Sequence, residues 1–288
     1  MSTPRDMAHV VTTAMQKGGV GKTTSTVNLA RALAVAGRRV LVCDLDPQGN
    51  ATDALAEEDL PTSSVSVADT MLPESALPPG AEPITMRDVI VPTIWNGVDL
   101  APVTNSAALT RVENLLQTTG GGREHRLREA LEPVLADYDL VLVDNAPALG
   151  LLLENALVAA HDVLVVMTAD RWSSQGLARL RGMVHTAQRY SNPALGWAGV
   201  LISMWRNTND EVEKLADIGQ HFPDAEVWAT PEDTSKVVPQ WVSIMECINA
   251  GLGLDQSRKP RLRVLAQDVY GWMAQRLIAR RTTREVAA

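Results

Sequence analysis

Apolar positions along the chain recur with two different periods, and the switching between them predicts a string of strands and helices. Residues 10–15, 39–44, 98–102, 139–144, 162–168 and 197–204 are short apolar runs rich in β-branched side chains, the pattern of buried strands. Helical spacing appears between them. Over 25–36, Val27, Ala30, Leu33 and Ala34 share one face and Gly37 stops the run. The same spacing predicts helices over 127–135 (despite Pro133), 152–160, 175–189, 210–222 and 264–281, with Asn192-Pro193 as a break. Such repeated alternation predicts an α/β fold, a mostly parallel twisted sheet flanked by helices on both faces. Sheets of this kind bind ligands at the carboxyl ends of their strands.

Two stretches fall outside the alternation. Residues 57–82 are rich in Pro, Ser, Ala and acids, and predict a surface excursion with one helical turn near 67–72; the excursion as a whole runs to about residue 97. Residues 118–123 contain Gly120, Gly121 and Gly122 and read as a flexible loop. No internal repeat is found. The expectation is therefore one domain over residues 1–288, closing in a helical region from about residue 236.

Composition narrows the class. Of 288 residues, 45% are hydrophobic and 21% charged, as in globular proteins. The longest apolar runs, 163–167 and 140–143, fall far short of the roughly 20 residues of a membrane span. Residues 1–9 are polar and read as no signal peptide. Cys43 and Cys247 form neither a CxxC pair nor a disulfide framework, so a reducing cytoplasm is the expected compartment. A net charge of -8 argues against a nucleic-acid coat protein. The charge is uneven, however: within 256–288, Arg258, Lys259, Arg261, Arg263, Arg276, Arg280, Arg281 and Arg284 face only Asp268 and Glu285. That is either a basic patch or a solvated helix face. His9, His125, His161, His185 and His221 show no metal-ligand spacing and read as surface or packing residues.

One segment carries chemistry. Gln16-Lys17-Gly18-Gly19-Val20-Gly21-Lys22-Thr23-Thr24 follows the first strand and opens the first helix, the setting of a phosphate-binding loop. Glycines let the main chain curl around an anion where a Cβ would obstruct it. The N–H groups of the helix start point at that anion, backed by about half a positive charge from the macrodipole. Lys22 would sit on the terminal phosphates and the Thr23 hydroxyl on Mg²⁺. The literal pattern G-x-x-x-x-G-K-[ST] is not met, because its first glycine falls on Gln16, and Lys17 follows directly.

With that extra lysine, the string resembles the deviant phosphate-loop motif K-G-G-x-G-K-[ST] of the ParA/MinD family of ATPases. Two further segments resemble the family. Asp44-Leu45-Asp46-Pro47-Gln48-Gly49-Asn50-Ala51-Thr52 is similar to its D-x-D-P-Q-x-x-x-T switch, and Leu140-Val141-Leu142-Val143-Asp144 to its apolar strand ending in a carboxylate. The family usually continues with two prolines; here Asn145-Ala146-Pro147 keeps only the second, which puts the local loop geometry, not Asp144, in question. The resemblance runs from about residue 10 to 204 and thins beyond.

The resemblance implies a Mg-ATP-dependent motor that dimerises around two nucleotides. Lys17, Lys22 and Asp46 are the implied catalytic residues. Lys17 reaches the partner's nucleotide as an arginine finger would, and Asp46 orients the attacking water. Residues 17–24, that is Lys17, Gly18, Gly19, Val20, Gly21, Lys22, Thr23 and Thr24, cradle the phosphates. Thr23, Asp44 and Asp144 hold Mg²⁺, although Asp44 also reads as a simple strand-ending cap. The family's adenine-contacting P-R-N loop corresponds to Pro231-Glu232-Asp233, which follows a strand-like stretch at 225–229; Pro231 and Asp233 are carried over, with an ordinary turn as the alternative. Nonspecific DNA binding through Arg206 and Lys236, a ParB-like centromere-binding partner, and cytoplasmic, nucleoid-associated localisation are likewise implied, although a cation in either position is more often a plain surface charge.

Three other readings compete. A membrane-cycling ATPase of the MinD type would use Val269, Met273 and Leu277 as a lipid-facing stripe flanked by Arg276 and Arg280, whereas core packing explains the same stripe. A regulator that binds nucleotide without turnover would not need Lys17 and Asp46. A metal-cluster carrier would need paired cysteines.

Overall fold

The computed structural model describes residues 7–118, 120–169, 174–223 and 225–287. Eight strands, β1 (His9–Ala14), β2 (Val40–Leu45), β3 (Val91–Pro92), β4 (Val98–Ala101), β5 (Leu140–Asn145), β6 (Asp162–Met167), β7 (Gly196–Trp205) and β8 (Val238–Pro239), form one sheet in the order β3-β4-β2-β5-β1-β6-β7-β8. All pairings are parallel except β3 with β4. The central strands are buried on both faces, which explains their mostly apolar sequences.

Period-two geometry divides the core into two layers. Val141, Val143, Val163 and Val165 face one side of the sheet, and Leu140, Leu142, Leu164 and Val166 the other. The second layer is covered by α1 (Lys22–Val35), α2 (Asn50–Leu55) and the C-terminal helices. The first is covered by α3 (Val67–Thr70), α4 (Met86–Val89), α5 (Ser106–Thr118), α6 (Arg126–Leu131), α7 (Leu151–Ala159), α8 (Ser174–Tyr190) and α9 (Asn209–His221). After β8 come α10 (Val242–Asn249), α11 (Pro260–Leu265) and α12 (Trp272–Ala287).

Several boundaries differ from the sequence expectation for physical reasons. The helix expected over 127–135 is α-helical only to Leu131 and continues as a 3-10 turn over Glu132–Asp137, because Pro133 has no N–H to give the helix. The helix expected over 264–281 starts at Pro260 and is interrupted by a π-helical turn over Ala266–Gly271. The strand-like stretch 225–229 contributes one bridge, Val200 with Val227. The stretch expected as a surface excursion plants Val67, Met71, Met86 and Val89 in the core through α3 and α4.

Several cations of the C-terminal segment are paired within the chain. Lys259 pairs with Glu246, Arg276 with Glu226, Arg280 with Asp162 and Arg281 with Asp139. Arg261 stacks over Trp241 and donates to Ser243. Val269, Met273 and Leu277 are buried in the second core layer, so core packing accounts for that stripe. No helix of the described residues is long and apolar enough to cross a membrane.

Buried tryptophans serve the core: Trp95, Trp197, Trp205 and Trp228 are all enclosed, and Trp228 meets Trp272 edge-on. His9 is a packing residue; its Nε2 lies 2.9 Å from Asp162, which also receives Arg280. Among the described residues no group of His, Cys, Asp or Glu has the geometry of a metal cluster.

Candidate nucleotide site

The phosphate loop sits where the sheet geometry demands, at the carboxyl end of the central strand β1. Its two left-handed glycines make the curl: Gly19 has φ 71° and Gly21 φ 84°. Gly21 is the N-cap of α1, and no side chain caps that helix start. The first-turn N–H groups therefore face the loop, and an anion is their natural acceptor. A Cβ at Gly21 would lie 2.7 Å from Ser203 Oγ, so the loop also packs tightly on the end of β7.

Three carboxylates converge beside the loop, and the sheet register explains two of them. Asp44 and Asp144 are direct partners on β2 and β5. Both follow residues of the second core layer at period two, so they share the α1 face. Asp144 accepts hydroxyl hydrogen bonds from Thr23 (2.6 Å), Thr26 (3.0 Å) and Thr13 (3.2 Å). Asp44 accepts from the Thr52 hydroxyl (2.8 Å), the Thr52 N–H (2.9 Å) and the Asp46 N–H (3.1 Å). Asp46 accepts from the Gln48 N–H at 2.9 Å, which fixes the switch turn.

Burial sets the electrostatics. It pushes the Asp44 carboxyl up to about 7, with the neighbouring Asp144 charge adding to the effect against the hydrogen bonds. It raises Asp144 as well, opposed by the three threonine hydroxyls and Lys22. Lys22 is lowered by its own burial and held up by Asp144 and Asp46. A buried lysine among buried acids is the setting of a site built for further charge, since unpaired buried charge is costly.

These groups border a cleft of about 740 Å³. Residues 19–24 and Asp46 line it, together with Pro147, Met204, Ile94 and, from α10, Met245, Ile248 and Asn249. Lys17 is exposed and is not one of the lining residues; its Nζ stands 3.4 Å from Thr168 Oγ1, at the end of β6. Pro231 and Asp233 are not lining residues either. They lie in a turn closed by reciprocal Thr230 and Asp233 main-chain bonds, with the Asp233 carboxylate accepting from the Ser235 N–H.

Arg206 and Lys236 are both engaged within the chain. Arg206 donates through Nε (2.9 Å) and its main-chain N–H (3.0 Å) to buried Glu211, which also closes the capping box of α9 with Thr208. Lys236 donates to the Asp268 carbonyl at 2.7 Å and lies over the Trp272 ring.

Sequence reasoning missed Thr13 and Thr26 on Asp144 and the whole α10 wall. The threonines were legible in principle, as polar positions inside otherwise apolar elements.

The donor set fits a magnesium nucleotide. Thr23, Asp44 and Asp144 offer the hard oxygens that ion takes, and the uncapped start of α1 with Lys22 offers the anion cradle. With this geometry in hand, the relatives agree. The family model AAA_31, an AAA domain, matches residues 8–197. The sporulation initiation inhibitor protein Soj of Bacillus subtilis is 34% identical over 246 residues, 85% of this chain and 89% of Soj. The chromosome partitioning protein ParA of Caulobacter vibrioides is 33% identical over 97% of both chains. Among solved structures, a cobyrinic acid a,c-diamide synthase of Mycobacterium smegmatis with bound ATP analog and magnesium is 30% identical, with TM-score 0.69 over 84% of this chain and 93% of that one. The chain belongs to the ParA/MinD family of P-loop ATPases.

Proposed function

We propose that this chain is a partitioning ATPase that uses ATP and Mg²⁺, pairs with a second copy when ATP is bound, and binds DNA without sequence preference. Hydrolysis is stimulated by a ParB-like centromere-binding partner. It acts in the cytoplasm and associates with the nucleoid while ATP is bound. The observation that carries this reading is the cluster at the start of α1: buried Lys22, Asp144 held by three hydroxyls, and a helix terminus without a cap. The kinship with Soj and ParA over most of the chain supplies the biological setting.

Each residue has a stated task. Lys22 offsets the charge of the terminal phosphates. Thr23, Asp44 and Asp144 would hold magnesium, which would neutralise phosphate charge there. Asp46, already fixed by the Gln48 N–H, orients the attacking water. Lys17, exposed on the rim, extends to the nucleotide of the second copy. Arg206 and Lys236 serve as DNA contacts by exchanging Glu211 and the Asp268 carbonyl for backbone phosphates.

Co-sedimentation with duplex DNA and with anionic liposomes, under ATP and under ADP, tests the proposal. DNA should pellet the protein with ATP only, and rising salt should weaken the association steeply. Liposome binding without DNA binding would favour the MinD-type reading and refute this one.

A further inference from the structure

The sheet parts at the place where the site is built. β5 stays in register with β2 as far as Leu45 and Asn145, and β1 stays with β6 as far as Ala14 and Val165. Between β1 and β5 the register ends earlier, at Thr12 and Val143. A split therefore opens between the two halves of the site. Asp44 and Asp144 stand on the β2–β5 side, and β1 leads into the phosphate loop on the other.

A side-chain amide crosses that split where the main-chain pairing has stopped. Asn145 Nδ2 donates to Thr12 Oγ1 at 2.6 Å and to the Thr13 carbonyl at 2.8 Å. A main-chain carbonyl can only accept, so it fixes which end of the amide is nitrogen. Thr13 in turn donates its hydroxyl to Asp144 at 3.2 Å. The residue next to Asp144 is thus tied to the strand that carries the phosphate loop. The Thr23 hydroxyl also reaches Asp144, but both of those groups are assigned to magnesium and a cation would compete for their oxygens. Asn145 leaves β5 on the opposite face from Asp144, so its tie is independent of the cation.

Stability alone does not explain an asparagine here. Asn145 is 2% exposed, and its Oδ1 has no hydrogen-bond partner among the described residues. A buried carbonyl left unpaired is costly, and an apolar side chain of similar shape would avoid that cost.

We infer that Asn145 is a positioning residue for the magnesium-holding acids: its amide closes the split between β5 and β1 and so holds Asp144 in place against the phosphate loop. The inference rests on the reading of the cleft as a magnesium nucleotide site.

Calorimetry of ATP binding to the full chain, in EDTA and across a Mg²⁺ series, tests it beside thermal unfolding without nucleotide. Wild type should bind ATP more tightly as Mg²⁺ rises. Asn145→Leu keeps the approximate shape and removes the donor. It should raise the Mg²⁺ concentration for half-maximal tightening about tenfold, the scale of losing a group that supports a metal ligand. Affinity in EDTA should be unchanged. The Tm should move little, because the lost bonds and the removed orphan carbonyl act in opposite directions. Thr12→Val removes one acceptor of the amide at constant shape and should shift the Mg²⁺ requirement the same way by about threefold, the scale of one hydrogen bond. In the Asn145→Leu background it should add nothing, since the two residues act as a unit. If Asn145→Leu fails to fold, Thr12→Val alone decides. An unchanged Mg²⁺ requirement would overturn the assignment, as would equal weakening with and without Mg²⁺. A wild type that binds ATP under neither condition would instead refute the nucleotide reading itself.

Discussion

The joint between the phosphate loop and β7 gives a prediction whose size can be worked out. Replacing Gly21 by alanine forces a Cβ onto a residue at φ 84° and places it 2.7 Å from Ser203 Oγ, but 3.7 Å from Ser203 Cβ. The left-handed backbone costs an L-residue about 1 kcal/mol. Displacing the buried Ser203 hydroxyl adds about 1–3 kcal/mol, as overpacking does. The stiffer unfolded chain returns about 0.5–1 kcal/mol. The net loss is about 2 kcal/mol, or about 4 °C in Tm for a chain of this size. Ser203→Ala removes the clashing oxygen and leaves an ordinary contact, so the double variant should recover the steric share, about 2 kcal/mol, and keep the backbone share. Thermal unfolding of wild type, both single variants and the double variant, without nucleotide, measures that coupling. Strict additivity, or a Gly21→Ala protein as stable as wild type, would refute the argument.

Three further outcomes are expected. Lys22→Ala should abolish ATP binding in calorimetry, since the phosphates lose the only lysine that lines the cleft among the described residues. Asp46→Ala should keep ATP affinity but stall hydrolysis and prolong the ATP-bound dimer; normal turnover would remove Asp46 from its task. The third outcome concerns pH. Burial pushes the Asp162 carboxyl up, but hydrogen bonds from His9 and Arg280 outweigh it and hold the group at about 2. In the unfolded chain it protonates near pH 4, so the stability it confers is intact above pH 4 and is lost as pH falls toward 2. That loss is about 2 kcal/mol, and urea titrations of Arg280→Gln across this window should show a visibly smaller acid decline than wild type.

The central strands and the helices that follow them were legible because each has a single clear period. The phosphate loop was legible because its glycines and lysine are fixed by chemistry rather than by packing. Other elements were hidden for identifiable reasons. In α10, Val242, Ile244, Met245, Cys247 and Ile248 are nearly continuous in apolar character, so no face stands out, and exposed Met245 borders the cleft rather than the core. The helix α5 carries Leu109, Val112 and Leu116 at helical spacing, a signal that was present but unread between Pro102 and the glycine loop. The cationic C-terminus misled because its partners, Asp139, Asp162 and Glu226, lie far away in sequence. Arg206 shows a signal that could have been read: Thr208 and Glu211 form a recognisable helix-start pair, and a glutamate so placed is within reach of the arginine just upstream.

Asp44 and Asp144 owe their separation to adjacent strands of a parallel sheet rather than to any loop. Neighbouring strands lie about 4.8 Å apart whatever the surrounding sequence. The gap between the two acids is thus inherited from main-chain geometry, and insertions or trimming in the connecting segments would leave it untouched. A chain built on this frame can remodel its rims while this pair of acids stays in place.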